Sequence, residues 1–139
     1  MSKGAMKNRR TKVKTVPNQR IVRVNKEPAN KNNIYACINK EAMRSAMEDL
    51  QTKAGFKLWC YFADNQPQYT FALSSKDFCE QAGCGMDAYR ASFEELVLKG
   101  YLVKRMDEYE SYDFYEKSLT KQIIEEVHEQ QKITGFWNY

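Results

Sequence analysis

The stretch CEQAGCGMDAYRASFEELVLKGYL, residues 79–102, restricts the folds open to this chain more than any other segment. Gly83 can take the left-handed backbone conformation that closes a helix, and Gly100 repeats the signal downstream. Between them Tyr89, Phe93, Leu96 and Val97 fall on the inner side of a helix running from about Met86 to Lys99. Upstream, Ser74 stands where an N-cap belongs and Asp77 lies in the first turn, where its charge favours the helix dipole, so a first helix ends near Ala82. After Gly100, YLVKR and SYDFYE are strand candidates joined by a turn through Met106 to Glu110. The predicted order is helix, tight turn, helix, β-hairpin.

The flanking segments add helices and short strands. From Asn39, a capping residue, Ala42, Met43, Ala46, Met47 and Leu50 recur at helical spacing and place one stripe in the core. A second helix is expected within TKAGFKLWCYFADNQ, with Ala54, Leu58, Trp59, Tyr61 and Phe62 apolar and Asn65 to Pro67 as its stop. Trp59 and Phe62 read as core. RIVRV (20–24), NIYACI (33–38) and YTFAL (69–73) are expected as short strands. A last helix is expected from Ser118 to about Gln131, with Leu119, Ile123 and Val127 on a stripe narrow enough to suit pairing with a second copy. The fold class expected is α+β, mainly helical.

At 139 residues the chain suits one domain plus a tail. It has no apolar run near the roughly 18 residues of a membrane span, so a membrane is not among the expected partners. The N-terminus has lysines but no apolar segment of a secretory leader, and Cys37, Cys60, Cys79 and Cys84 lie in apolar sequence, so a cytoplasmic setting is expected, that of a bacterial host cell. The cysteines read as buried thiols: there is no CxxC pair, and His128, the single histidine, is remote from them. No metal and no cofactor are therefore expected. Nor is there a nucleophile elbow or a phosphate-cradling glycine loop, and no catalytic residue is assigned.

Charge is divided unevenly along the chain. Residues 1–31 carry ten Lys or Arg against Glu27 alone, a net +9, and residues 32–139 carry twelve against seventeen acids, a net −5. The first part has too few large apolar residues to offset its ordering entropy and is expected to be disordered at least to Pro17. Lys3, Lys7, Arg9, Arg10, Lys12 and Lys14, followed by Arg20 and Arg23, suit a polyanion, because neutralising phosphates releases counterions. A purely solubilising tail is the alternative.

With these residues in view, TFALSSKDFCEQAGCGMDAYRASFEELVLKGYLVKR followed by YDFYE resembles a winged helix-turn-helix, particularly those in replication-associated proteins of phages and plasmids of low-GC Gram-positive bacteria. The resemblance covers roughly residues 55 to 116 and rests on the Leu-Ser-Ser approach to the first motif helix, the Ala-Gly turn at Ala82 and Gly83, the Tyr89 and Leu96 core positions, and the KGYLV exit. It implies a winged-helix domain over 32–117, preceded by the basic arm 1–31 and followed by a helix and aromatic tail over 118–139. It further implies that the second motif helix lies in a major groove of double-stranded DNA, while a wing or arm touches the backbone or minor groove. On this reading Ser75, Lys76, Met86, Arg90, Lys104 and Arg105 join the arm residues as DNA contacts.

A second reading stays open beside it. Asp107, Glu108 and Glu110 at the hairpin tip would be repelled by phosphate, and Phe136, Trp137 and Tyr139 are large aromatics of the kind that anchor interfaces. They suit a phage-encoded module that binds a host or replication protein on the same scaffold, since a fold does not dictate a function.

Overall fold

The structure, a computed structural model, describes residues 18–27 and 36–137, with side chains through Ile133. The chain divides between Ile34 and Tyr35, and each part is described by itself. In the first, residues 18–27 are exposed and non-helical, and the strand expected over 20–24 is not formed. Ile21, Val22 and Val24 are all well exposed, and among the described residues no neighbouring strand takes up their backbone donors and acceptors. The candidate strand at 33–38 lies partly outside the described residues, and its described residues, 36–38, are irregular.

The second part contains α1 (Lys40–Asp49), α2 (Gly55–Ala63), α3 (Ser75–Ala82), α4 (Met86–Lys99), β1 (Leu102–Lys104), β2 (Tyr112–Phe114) and α5 (Lys121–Trp137). This is the mainly helical α+β arrangement that the periodicities predict. The helix ends follow local chemistry. Asn39 accepts from Ala42 N at 2.8 Å, and the Ser74 hydroxyl accepts from Asp77 N at 3.1 Å. Asn65 closes α2 by donating to the carbonyls of Tyr61 and Phe62. Gly83 and Gly100 close α3 and α4 at φ +67° and +87°, in the left-handed region where a Cβ is costly.

Packing is centred on Leu58, Trp59, Phe78 and Leu96, all essentially removed from solvent. Trp59 stacks on Phe56 and meets Phe114 edge-on, and its indole N–H donates to Glu116 O at 3.1 Å, which joins α2 to the chain leaving β2. Ala42, Ala46 and Leu50 bring α1 onto this core, whereas Met47, expected on the same stripe, is 55% exposed. The expected inner face of α4 is also rotated. Ser92 and Glu95 are buried with Leu96, Tyr89 and Phe93 are half-buried, and Val97 faces outward.

β1 and β2 pair antiparallel with Leu102 opposite Phe114, Val103 opposite Asp113 and Lys104 opposite Tyr112. Arg105 N donates to Ser111 O and Tyr115 N to Tyr101 O, extending the ladder at both ends. The expected strand at 69–73 is irregular: Tyr69 and Phe71 stack on each other, Phe71 packs against the rings of Tyr61 and Phe62, and the segment forms no ladder among the described residues. α5 starts three residues later than expected and runs to Trp137. It supports the hairpin through two side chains three residues apart: His128 Nε2 lies 2.9 Å from Lys104 O, and Gln131 Oε1 accepts from Met106 N at 2.9 Å. A carbonyl can only accept, so Nε2 of His128 is the donor in this contact. Side chains from a helix thus satisfy backbone groups that a two-stranded ribbon leaves open. Among the described residues, no helix is long and apolar enough to cross a membrane.

Candidate nucleic-acid interface

α3, the turn at Gly83 and α4 hold four of the predicted contact residues on one continuous motif. Ser75 opens α3 half-buried, with Lys76 exposed beside it. Met86 opens α4 and is 41% exposed, and Arg90 stands one turn further on. The motif is braced from α2. Lys57 Nζ donates to Ala82 O at 2.9 Å, placing a cation at the C-terminal end of α3 where the helix dipole favours one. Tyr61 donates to Asp77 Oδ2 at 2.6 Å, and this hydrogen bond, aided by burial, pushes the phenol up to about 12. The placement of α3 against α2 therefore rests on contacts outside the outward face of the motif.

That outward face carries Asp87, Arg90, Ala91, Glu94 and Leu98. Arg90 lies 3.2 Å from Asp87, and both side chains are largely in solvent. An exposed pair of this kind is worth little, so a phosphate can take the guanidinium from Asp87 at small cost.

The hairpin tip is different, because its charges answer one another. Arg105 is gripped on two sides, by both oxygens of Asp107 at 2.7 and 2.9 Å and by Asp113 Oδ2 at 2.9 Å. The Asp107 hydrogen bond comes first among the causes that raise the guanidinium further above its usual range, and Arg105 in turn holds Asp107 below its usual range. Arg105, expected as a DNA contact, has its planar fork already occupied. Asp107, expected as a contact to a protein partner, is only 14% exposed. Lys104 is exposed, with Nζ 3.8 Å from Glu110 Oε1, while Glu108 faces solvent. No hydrogen bond or ion pair among the described residues joins Ser75, Lys76, Met86 or Arg90 to the tip.

Arg20 and Arg23 are exposed on the first part of the chain, and Lys3, Lys7, Arg9, Arg10, Lys12 and Lys14 lie outside the described residues. Phe136 and Trp137 fall in the last turn of α5 with side chains outside the description, as is Tyr139 altogether. The stripe expected to pair two copies is divided: Leu119 precedes α5, Ile123 is 42% exposed and Val127 is half-buried. The four cysteines are free, Cys37 exposed and Cys60, Cys79 and Cys84 half-buried, so the expectation of fully buried thiols does not hold.

Sequence reasoning did not single out Glu95. Its carboxylate accepts from Gln51 N at 2.7 Å, Thr52 N at 3.0 Å and the Thr52 hydroxyl at 2.7 Å, and Lys99 Nζ lies 3.0 Å away. Burial pushes this carboxyl up but is outweighed by the bonds from Gln51, Thr52 and Lys99, which bring it down to about 2. Lys99 also donates to Asp49 O, and the Tyr101 hydroxyl donates to Asp49 Oδ2 at 2.9 Å. This network fixes the α1–α2 connection to the inner side of α4. The available signal was the spacing of Glu95 and Lys99, four apart on one helical face.

Comparison with known proteins finds no matching family model, no matching curated protein and no matching solved structure.

Proposed function

We propose that this chain is a non-catalytic DNA-binding protein with a winged helix-turn-helix, of the kind that serves replication or regulation in phages and other mobile elements. The observation that carries the reading is the sequence of α3, a left-handed Gly83, α4 and a short hairpin, with Arg90 outward on α4 and Lys76 outward on α3. The basic residues of 1–31 supply affinity through counterion release, and α4 supplies orientation in a major groove. Lys76 and Arg90 act as the domain's phosphate or base contacts, with Lys104 behind them on the hairpin. Arg105 acts within the hairpin and not on DNA, because its donors are already committed to Asp107 and Asp113.

The test is duplex binding by the full chain across a salt series, with an unrelated duplex as competitor, compared with a variant carrying Gln at Lys3, Lys7, Arg9, Arg10, Lys12 and Lys14. The reading expects the slope of log K against log salt to fall by up to about 5 when six phosphate contacts are lost, while the preference among duplexes survives. A full chain with no preference among duplexes, and a variant that binds none of them, would remove α4 as a reader.

The exposure of Leu98, 86% on the outward face of α4 beside the acid Glu94, supports the second reading of a module that docks on a basic protein surface. An arm-neutral variant that ignores duplex DNA, beside a full chain that binds every duplex alike with a steep salt slope, favours that reading.

A further inference from the structure

The turn between α3 and α4 gathers three sulfurs, of which the DNA reading names only that of Met86. Gly83 N and Cys84 N both donate to Cys79 O, at 2.9 and 3.1 Å. This closure brings the residue after the left-handed glycine against the one that accepts its bond, and those two residues are Cys84 and Cys79. The Cys79 sulfur lies 3.9 Å from Met86 Sδ, and a closure of this type commonly sets the side chains of its two bonded residues, here Cys79 and Cys84, against each other. Cys79 and Cys84 are half-buried and Met86 is exposed. A Cβ built on Gly83 or Gly85 meets nothing within 4 Å, so the turn is open to solvent along its backbone.

We propose that Cys79, Cys84 and Met86 form a three-sulfur site for a soft monovalent metal ion of the copper(I) class. Thiolate and thioether donors together select such ions over harder ones. Sulfurs placed about 2.3 Å from a central ion in a trigonal set lie about 4 Å apart, which matches the Cys79–Met86 separation. Borderline metals find less here, since no group of three His, Cys, Asp or Glu is assembled among the described residues, and His128 is engaged with Lys104 O. Binding displaces both thiol protons to solvent, makes two thiolate bonds and one thioether bond, and changes no oxidation state. A disulfide between the two cysteines is the competing use of the pair, but it gives Met86 no part.

The test is an anaerobic titration of the reduced full chain with copper(I) against a colorimetric copper(I) chelator, in a background of Cys37→Ser and Cys60→Ser that removes the other two thiols. One ion per chain is expected in that background. Met86→Leu keeps the side chain's bulk and is expected to lower affinity at least about tenfold, and Cys84→Ser by more, with circular dichroism reporting that both variants remain helical. Uptake unchanged in Met86→Leu overturns the three-sulfur site. So does a chain that takes up no ion while its thiols remain free by mass and thiol titration. The titration contains no DNA, so its failure is distinct from failure of the DNA reading.

Discussion

Glu95 on α4 and Thr52 in the α1–α2 connection are joined twice, the carboxylate oxygen Oε1 accepting from the Thr52 backbone N–H at 3.0 Å and from its hydroxyl at 2.7 Å. The other oxygen takes the Gln51 N–H at 2.7 Å. A single buried carboxylate thereby replaces water for two backbone donors at a connection between helices, where such groups have no intrahelical partner.

Removing that carboxylate strands the donors. Glu95→Ala is expected to cost at least about 2 kcal/mol in denaturant unfolding, because two backbone N–H groups lose their acceptor, and Glu95→Gln less, because one amide oxygen remains. Equal costs for the two variants would mean that charge, and not acceptor number, sets the effect.

The same carboxylate gives a pH dependence. Its folded pKa, about 2, lies below the ordinary 4.5, so its contribution is fully present above the unfolded value and is lost as pH falls from about 4.5 toward 2. Stability measured across that window is expected to decline more steeply in the parent chain than in Glu95→Gln. Parallel curves would show that other carboxylates govern the acid limb.

Three glycines separate steric from conformational cost. A Cβ at Gly55 would sit 2.5 Å from Glu95 Oε1 and 2.6 Å from Thr52 Oγ1. At Gly100 it would run into the Leu119 backbone with φ at +87°, and at Gly83 it would meet nothing although φ is +67°. Gly83→Ala is therefore expected to cost about 1 kcal/mol from backbone conformation alone, and Gly100→Ala clearly more in thermal or denaturant unfolding. Gly55→Ala is expected to fall between them, and its cost to be less than additive with that of Glu95→Ala, which removes the oxygen the new Cβ would meet. An inverted order for Gly83 and Gly100 would contradict the close approach of Leu119.

Two arginines of the same chemistry are expected to behave differently. Arg90→Ala should reduce the salt slope of duplex binding by about 1 and leave thermal stability nearly unchanged, since its partner Asp87 is fully in solvent. Arg105→Ala should lower Tm and leave the salt slope unchanged, since it leaves Asp107 and Asp113 facing each other without their cation. Salt titrations and melting curves of both variants check the pair.

Gln131 offers a local probe of the α5 contact. Gln131→Leu should leave the Met106 N–H without an acceptor and accelerate its hydrogen exchange, with amides inside α2 unaffected. Unchanged Met106 exchange would show that the amide is protected by something other than Gln131.

The features legible in the sequence act within about one turn of chain. Asn39, Ser74, Gly83 and Gly100 cap or close helices with bonds to residues a few positions away, and each stands where its residue type predicts. The charge division is equally local, being a matter of count. Strands at 20–24 and 69–73 failed as predictions because a strand exists only with a ladder partner, and their β-favouring residues cannot supply one. Glu94 and Glu95 are chemically the same and adjacent, and Lys104 and Arg105 are adjacent cations. Yet Glu95 alone receives the amides of Gln51 and Thr52, and Arg105 alone is enclosed by Asp107 and Asp113. Neighbours on a helix point about 100° apart and neighbours on a strand point to opposite faces, so one residue of difference chooses between solvent and a buried partner. Which face meets those partners depends on how distant segments pack, and that was settled only when α1, α2 and the hairpin closed around α4.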